Sequence, residues 1–501
     1  MNKYLKRNAL ILSIVSGSLL LGAVAALAQT LSGGSFTITS SVTAGGGGKS
    51  IGSGNAGVEG TTGQAAAGGP HANSPFSHDA GFWPTTLAQA APTPTPLAGP
   101  GAFAFSSPSF SVNEDTIEGF VTVNRVNGST GVASVDFRIT NGLGFTPCNV
   151  ASGVAAQNCD FSYTGGTLSF ANAEVTKTVS VLISKDAYIE GNETISLSLG
   201  NPTAGATLAA QSSTTLMIID NPNVPTNSQP IDDPVNFVGQ TYHDFLARQA
   251  DPAGLSFWSG QITQCGSDQN CINSERITVS NAFFFELEYQ QTGSYVFRLY
   301  RAAYGNNQPL PNPDTSNLVE AKKIPAYSAF VADRASVIGG TSLAQSQLNL
   351  ANVFVQRPEF LSRYPANLSG AQFIAAVLQN ILGTDGVDLS SQTAALTTLF
   401  NQSGRGAVIY RLADDNAQTN PIGNQAFIDA EYSRAFVTTQ YFGYLRRDAD
   451  IGGLLFWFNQ VNSAPLRDVT KQHSMVCSFI TSAEYQNRFS AAITHTNAEC
   501  P

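Results

Sequence analysis

The chain carries little charge for its length, and most of that charge is negative. Only 12% of its 501 residues are charged, with 25 basic residues against 35 acidic ones and a formal net charge of −10. An acidic chain repels nucleic acid and anionic lipid at long range and attracts cations. The composition therefore excludes nucleic acid as the expected partner, and it fits an extracellular protein better than a cytosolic enzyme.

Motifs of catalysis are equally scarce. The chain has five histidines, and it contains no Gly-x-Ser-x-Gly elbow, no His-Glu-x2-His pair and no dinucleotide-binding glycine pattern after a strand. An active site needs a nucleophile, a base and a group that orients them. We therefore predict that the protein is not an enzyme. The alternative that stays open is an unrecognised secreted hydrolase in the C-terminal helical part.

Long apolar runs are absent after residue 28. The one such run, at 9–28, follows three basic residues within the first seven positions and ends in Ala-Leu-Ala. This order predicts a signal peptide at 1–28 and export to the extracellular space or cell surface, with the periplasm possible. The competing interpretation is an uncleaved membrane anchor, because the run is nearly long enough to span a bilayer. After removal of the signal peptide we expect no transmembrane span.

Cysteine is also rare, and its six copies lie in three local pairs. In an exported chain disulfides are the expected state. Sequence alone allows many connectivities, but short separations favour Cys148 with Cys159, Cys265 with Cys271 and Cys477 with Cys500. A zinc site would need clustered Cys and His at ligand spacing, and the sequence has no such set.

The chain changes character twice along its length. Residues 29–100 are rich in Gly, Ala, Ser, Thr and Pro, which predicts a flexible low-complexity region ending in an extended proline-rich linker. Between 103 and 221 apolar residues alternate with polar ones in seven short segments, which predicts an all-β, Ig-like seven-stranded sandwich. The segments are 103–105, 120–126, 135–139, 167–170, 179–183, 195–199 and 215–219.

Acidic residues of this region sit where the predicted strands end or turn. They are Glu114, Asp160, Asp186, Glu190, Glu193 and Asp220. Strand ends that are remote in sequence meet at one edge of a sandwich, and like charges gathered there repel one another unless a cation neutralises them. Hard cations such as calcium take oxygen ligands in loops of this kind. The competing interpretation is a plain acidic edge that faces water.

Four motifs in this region carry a family resemblance. They are Ser111-Val-Asn-Glu114, Asp160-Phe-x4-Gly-Thr-Leu-x-Phe170, Asp186-x3-Glu-Gly-Asn-Glu193 and Ile218-Ile-Asp220. Together they resemble the Calx-beta domain, a calcium-binding sandwich first described in sodium–calcium exchangers, over nearly all of 103–221. The resemblance implies that the six acids listed above bind calcium.

Two departures from that family lower the expected number of ions. Lys185 and Ala187 flank Asp186, and Asn221 and Pro222 follow the last strand, where exchanger domains often have further aspartates. Fewer carboxylates give fewer ligands. We therefore expect weak binding of one calcium ion, or of a weak pair, rather than a full cluster.

After a linker at 222–234 the apolar periodicity becomes helical, which predicts an all-α helical repeat domain at 235–490 and a tail at 491–501. The motif Phe237-Val-x3-Tyr-x3-Leu-x-Arg-x-Ala-Asp-x2-Gly-Leu-x-Phe-Trp258 returns 199 residues later, from Phe436 to Trp457. Asp251 is placed to cap the helix that follows it, with Pro252 in the first turn. The Phe-Trp pairs are expected in the core.

This repeat resembles the bacterial family named domain of unknown function 4214, whose members occur on secreted and surface proteins beside adhesive or calcium-binding modules. No activity is established for that family, so the resemblance implies location and partnership rather than chemistry. The Arg-x-Ala-Asp element of the motif has two interpretations. It is either a binding or catalytic pair, or a capping Asp with a locally paired Arg, and we favour the second.

Together these features predict a multidomain exported bacterial protein. A Gly-rich N-terminal region precedes a sandwich that binds Ca²⁺ at its acidic edge, and the helical domain serves interaction with a surface protein or polysaccharide. The alternative is a structural envelope or matrix component whose acidic edge holds no metal.

Overall fold

The computed structural model describes residues 97–225, 227–309, 319–338, 342–414, 424–463 and 465–500, together with five short strands before residue 80. The chain divides into two units, residues 1–93 and 94–501. The predicted signal peptide at 1–28 and most of the low-complexity region at 29–100 lie outside the described residues. The strands of the first unit are β1 (Leu31–Gly33), β2 (Phe36–Ile38), β3 (Gly48–Ile51), β4 (Gly57–Gly60) and β5 (His78–Asp79).

The second unit opens with a two-sheet sandwich, as the alternation predicts. Its strands are β6 (Ala102–Phe105), β7 (Ser109–Asn113), β8 (Glu118–Val126), β9 (Ala133–Ile139), β10 (Gly165–Phe170), β11 (Thr176–Leu182), β12 (Glu193–Gly200), β13 (Thr207–Leu208) and β14 (Ser213–Ile219). One sheet has the order β10-β9-β12-β14-β7 and the other β11-β8-β6-β13. Every second side chain of β9 and β12 is buried between the sheets, which is the burial pattern of a half-covered strand.

The sandwich has nine strands rather than the seven predicted. The two additional ones, β7 and β13, are edge strands, and each pairs in parallel with its neighbour. In β7 only Val112 is buried, and the alternation of Ser-Phe-Ser-Val-Asn spans just five residues. β13 is two residues long and both of them are exposed. Alternation this short is a weak periodic signal.

The rest of the second unit is helical. Its helices are α1 (Pro234–Thr241), α2 (Pro252–Thr263), α3 (Gln269–Phe285), α4 (Leu287–Gln291), α5 (Gly293–Tyr304), α6 (Tyr327–Ile338), α7 (Leu343–Phe354), α8 (Pro358–Arg363), α9 (Gly370–Asp385), α10 (Thr393–Ala413), α11 (Gln425–Gln440), α12 (Ile451–Asn462), α13 (Val469–Ile480) and α14 (Ala483–Gln486). Short 3₁₀ turns lie at Glu114–Thr116, Pro230–Asp232, Ala321–Lys323, Ser390–Gln392 and Asn497–Glu499. Within the described residues, no helix combines the length and apolarity that a membrane span requires.

The two copies of the sequence motif fold alike. Helices α1 and α11 each continue into one wider π-helical turn, Tyr242–Leu246 in the first copy and Tyr441–Leu445 in the second. The next residue is left-handed in both copies, with φ of 49° at Ala247 and 50° at Arg446. This turn redirects the chain into α2 or α12, and no feature of the sequence predicted it.

The Arg-x-Ala-Asp element has the local structural role that we favoured. Asp251 accepts a hydrogen bond from the Gly254 amide at 2.8 Å and so caps α2. Arg248 binds both carboxylate oxygens of Glu288, at 2.6 and 2.7 Å, and its guanidinium lies over the ring of Tyr242. The second copy repeats this arrangement with Asp450, Gly453, Arg447, Glu484 and Tyr441.

The prediction that both members of each Phe-Trp pair lie in the core is wrong for the phenylalanines. Trp258 and Trp457 pack against the helical core, but Phe257 is 58% exposed and Phe456 is 54% exposed. Consecutive residues of a helix point about 100° apart, so the neighbour of a core-facing Trp turns toward solvent.

Three disulfides join the cysteine pairs that short separation favours. They are Cys148–Cys159 in the sandwich, and Cys265–Cys271 and Cys477–Cys500 in the helical part, with Cα atoms 5.4 to 5.6 Å apart. The last of them fastens the C-terminal tail to α13. His495 fastens it further, because its ring nitrogens lie 2.8 Å from Glu499 and 3.1 Å from Asp232.

His243 gives a test of how the two copies differ. It is buried in the first π turn, and neither of its ring nitrogens has a hydrogen-bond partner. Burial, together with the charge of Arg446, lowers the pKa of His243 to about 4. Between pH 6.5 and pH 4, His243 is therefore protonated in the unfolded chain but neutral in the folded chain. The free energy of unfolding decreases as the pH falls through this range.

We expect the substitution His243→Phe, which copies Phe442 of the second repeat, to remove this loss. Between pH 7 and pH 4 the free energy of unfolding of the natural protein should fall by about 3 kcal/mol more than that of the variant. Urea unfolding at a series of pH values measures the difference. Parallel pH profiles for the two proteins would contradict the assignment.

Candidate cation site

Strand pairing brings the acidic residues to one edge of the five-stranded sheet. β7 runs parallel to β14, so the two strands end together, with Asn113 opposite Ile219. β12 is antiparallel to β14 and begins at that same edge, where Glu193 lies opposite Ile218. The residues that follow β7 and β14 and those that precede β12 are therefore neighbours, although up to about 100 positions separate them in the sequence.

Three carboxylates form a compact cluster there. One oxygen from each of Asp160, Glu190 and Glu193 lies within 4.8 Å of the other two. Asp160 and Glu193 are buried, whereas Glu190 is half-buried. Asp160 Oδ2 accepts a hydrogen bond from the Ala156 amide, whereas Oδ1 is buried and has no partner when the acids are ionised. The carboxyl of Glu193 hydrogen-bonds to Asp160 when one of the two acids carries a proton. A buried carboxylate oxygen without a partner is costly, and a bound proton or cation would remove that cost.

The other three predicted acids border the cluster and shape the acidic turn, which we define as residues 184–192. Glu114 Oε1 accepts the amide of Asp186 at 2.7 Å. Asp186 Oδ1 in turn accepts the amide of Tyr188 at 2.8 Å, and Asp220 Oδ2 accepts the amide of Gly191 at 3.0 Å. The structure thus gathers three of the six predicted ligands in one cluster and uses the other three to hold the backbone around it.

The cluster has little basic charge beside it, although the charge of Arg446 opposes the larger effect of burial on the pKa of Asp160. Within the described part of the chain, no lysine or arginine forms an ion pair with Asp160, Glu190 or Glu193. Lys185 turns away and binds Asp115, with Nζ 2.8 Å from Oδ1. The departure at Lys185 therefore neutralises a neighbouring acid and leaves the cluster itself intact.

Burial and mutual repulsion make these carboxylic acids hard to ionise. Burial, reinforced by the neighbouring carboxylates, raises the pKa of Glu190 to about 8 and that of Glu193 to about 9. Burial likewise raises the pKa of Glu114 to about 7, and those of Asp160 and Asp186 are raised as well. Such a group is stable only with bound protons or a bound cation.

Carboxylate oxygens on irregular loops are the donor set of a hard divalent cation. Calcium accepts six to eight oxygens in flexible geometry, whereas zinc sites favour His and Cys. Asp160, Glu190 and Glu193 would hold such an ion. Its positive charge would replace the protons that otherwise neutralise the cluster.

Two parts of the chain match known domain families. Residues 98–222 match the Calx-beta domain, and residues 419–489 match a domain of unknown function, DUF4214. Both resemblances drawn from the sequence motifs are thereby confirmed, and the second match covers the second copy of the repeat. The sandwich with the acidic edge is thus a Calx-beta domain, and it is followed by a helical region.

Individual proteins are similar to about a quarter of this chain or less. The adhesion G-protein coupled receptor V1 of Danio rerio is 32% identical over 104 residues, which are 21% of this chain and 2% of the receptor. The apo-form Calx CBD1 domain is 26% identical over 24% of this chain and 96% of that domain, with a TM-score of 0.21. The Calx CBD2 domain is 16% identical over 25% of this chain and 92% of that domain, also with a TM-score of 0.21.

Two arginines that no sequence motif singled out fix this edge to the helical domain. Arg446 and Arg488 reach from the helical domain to carbonyl groups beside Asp160, and both bind the buried carboxylate of Asp244. A signal for them was present. Asp244 and Arg446 stand where the other copy of the repeat has Gly443 and Ala247, so both break the 199-residue repeat with a buried charge.

The repulsion within the cluster predicts a stabilising substitution. In metal-free buffer at pH 8, Glu190→Gln should raise the free energy of unfolding by about 1 kcal/mol, after allowance for the partial exposure of Glu190. Folding raises the pKa of Glu190, so the folded protein loses stability as the pH rises toward that pKa. Glutamine does not ionise, so the variant avoids this loss. Chemical unfolding in the presence of a chelator measures the change.

The matched control is Glu174→Gln on the same sandwich. Glu174 binds Lys177 at 2.7 Å, and this contact and its hydrogen bond to the Ala171 amide lower its pKa. Its replacement should leave stability unchanged or slightly reduced. Equal effects of the two substitutions would contradict the electrostatic account of the cluster.

Proposed function

We propose that this protein is an exported, non-enzymatic calcium-binding protein of the adhesion type. The observation that carries the proposal is the buried, unpartnered Oδ1 of Asp160, which lies beside the carboxylates of Glu190 and Glu193. The match of residues 98–222 to the Calx-beta domain supports calcium as the ion. The site takes one ion, because a single cluster of three carboxylates is present among the described residues.

Secretion has independent support. Three disulfides, with no free cysteine in the described chain, suit an oxidising compartment. The basic and apolar N-terminus supplies the export signal. The helical domain is the part that binds a surface protein or polysaccharide. The family that it resembles occurs on secreted and surface proteins, beside adhesive or calcium-binding modules.

Calorimetric titration of the full chain tests the calcium assignment. We expect one ion per chain with a dissociation constant of about 0.1 to 1 mM, the range of extracellular calcium modules. Magnesium should bind more weakly, because it demands closer octahedral geometry. Calcium at about 100 times its dissociation constant should stabilise the fold by about 2.7 kcal/mol.

Paired substitutions separate the site from the rest of the acidic surface. Asp160→Asn combined with Glu193→Gln should abolish both the heat of calcium binding and the calcium-dependent rise in Tm, whereas Glu174→Gln should retain both. If the natural protein shows neither heat nor stabilisation at millimolar calcium, the structural alternative without metal is correct.

A further inference from the structure

The loops that carry the cation ligands also contact the helical domain. Asp160 lies in the docking segment, defined as residues 156–162, and Glu190 lies in the acidic turn. The two loops are joined to each other, because the carbonyl of Asp160 accepts the amide of Ser184 at 2.7 Å. Each of them also hydrogen-bonds to the helical domain.

Arg446 holds the docking segment on both sides of Asp160. Its Nη1 donates to the carbonyls of Gln157 at 2.9 Å and Phe161 at 2.7 Å, and its Nη2 donates to Ser162 Oγ at 2.8 Å. Arg446 is the left-handed residue that ends the second π turn. The unusual turn thus points a guanidinium into the sandwich, and that side chain is 4% exposed.

Arg488 adds a further contact to the same segment. Its Nε donates to the carbonyl of Asn158 at 3.1 Å, and its Nη1 donates to the carbonyl of Tyr444 at 2.7 Å. Both arginines are held by Asp244, whose side chain is fully buried and lies 2.9 to 3.1 Å from their nitrogens. The buried carboxylate of Asp244 therefore fixes two guanidinium groups, which together donate hydrogen bonds to three carbonyls of the docking segment.

The acidic turn is held by the chain just after α14. The amide of Ala187 donates to the carbonyl of Phe489 at 2.7 Å, and the hydroxyl of Tyr188 donates to the carbonyl of Asn487 at 2.9 Å. Ala187 follows Asp186 directly and lies three residues before Glu190. Both loops that supply cation ligands therefore depend on the segment 487–489 or on Arg446 for their backbone positions.

We propose that the helical domain is a clamp on the cation site: Arg446, Arg488 and the segment 487–489 position the docking segment and the acidic turn, so that cation binding and domain docking strengthen each other. The proposal rests on the calcium site proposed above. The backbone of Asp160 lies between the carbonyls of Asn158 and Phe161, which the two arginines hold, so the arginines fix the position from which its carboxylate reaches an ion. Such coupling is reciprocal, because each event shifts the equilibrium of the other by the same factor.

Arg446 and its neighbour Arg447 provide a matched test. Arg446→Ala, which copies Ala247 of the first repeat, removes three hydrogen bonds to the docking segment and leaves every cation ligand in place. We expect it to weaken calcium binding about fivefold, with one ion still bound per chain. Arg447→Ala removes a salt bridge to Glu484 inside the helical domain, and it should leave calcium affinity unchanged.

Tyr188→Phe is the second variant, because it deletes one half-exposed hydrogen bond and is expected to preserve the fold. It should weaken calcium binding about twofold. Calorimetric titration of the full chain measures all three variants, with circular dichroism as the check of folding. If Arg446→Ala does not fold, the result for Tyr188→Phe decides.

The two proposals fail in different ways. A natural protein that binds no calcium contradicts the calcium site itself. A natural protein that binds calcium, with the same affinity in folded Arg446→Ala and in Tyr188→Phe, contradicts the clamp. A loss of affinity in Arg447→Ala equal to that in Arg446→Ala would show a general effect of helical stability and would also contradict the clamp.

Discussion

The described structure depends on one buried ionic group, the carboxylate of Asp244 between Arg446 and Arg488. Asp244 comes from the first repeat, Arg446 from the second and Arg488 from the segment after α14, and the arginines continue into the sandwich. The charge of the two arginines lowers the pKa of Asp244 against the opposing effect of burial. Removing one member of such a group leaves buried charge uncompensated and costs several kcal/mol. Asp244 therefore links the two repeats to the arginines that bind the sandwich, and separate hydrogen bonds from Ala187 and Tyr188 join the same two parts.

The acidic edge of the sandwich has the opposite electrostatic character. The buried carboxylate of Asp244 is paired with two arginines, whereas no lysine or arginine of the described chain forms an ion pair with Asp160, Glu190 or Glu193. An unmatched buried charge destabilises the protein by itself, and a bound divalent cation would remove the cost. The matched group lies directly beside the unmatched one, since the arginines that Asp244 holds grip the backbone on either side of Asp160. The docking segment thus carries both a carboxylate of the acidic cluster and the carbonyl groups that bind the helical domain.

The sequence predicted those features that leave a repeated or local signal. Alternation located the strands that bury every second side chain, and the 199-residue repeat located α2 and α12 together with their capping aspartates. Edge strand β7 alternates over only five residues and was not predicted, and the exposed Phe257 was predicted to lie in the core. The acids were identified as a group, but which of them share one cluster depends on the path of the acidic turn.

Asp244 and Arg446 were missed because their partner groups are backbone atoms or lie about 200 residues away, although their departure from the repeat marked them. Gly443 marks the same place, since a side chain there would collide with the ring of Phe245.

The central claim is that the cation site and the helical domain form one linked unit, and hydrogen exchange of the full chain tests it most directly. The amides of 156–162, 184–190 and 486–490 are compared in metal-free buffer and in saturating calcium. The account predicts slower exchange with calcium in all three segments, including 486–490, which supplies no ligand. Protection confined to 156–162 and 184–190, with exchange at 486–490 unchanged, would contradict it.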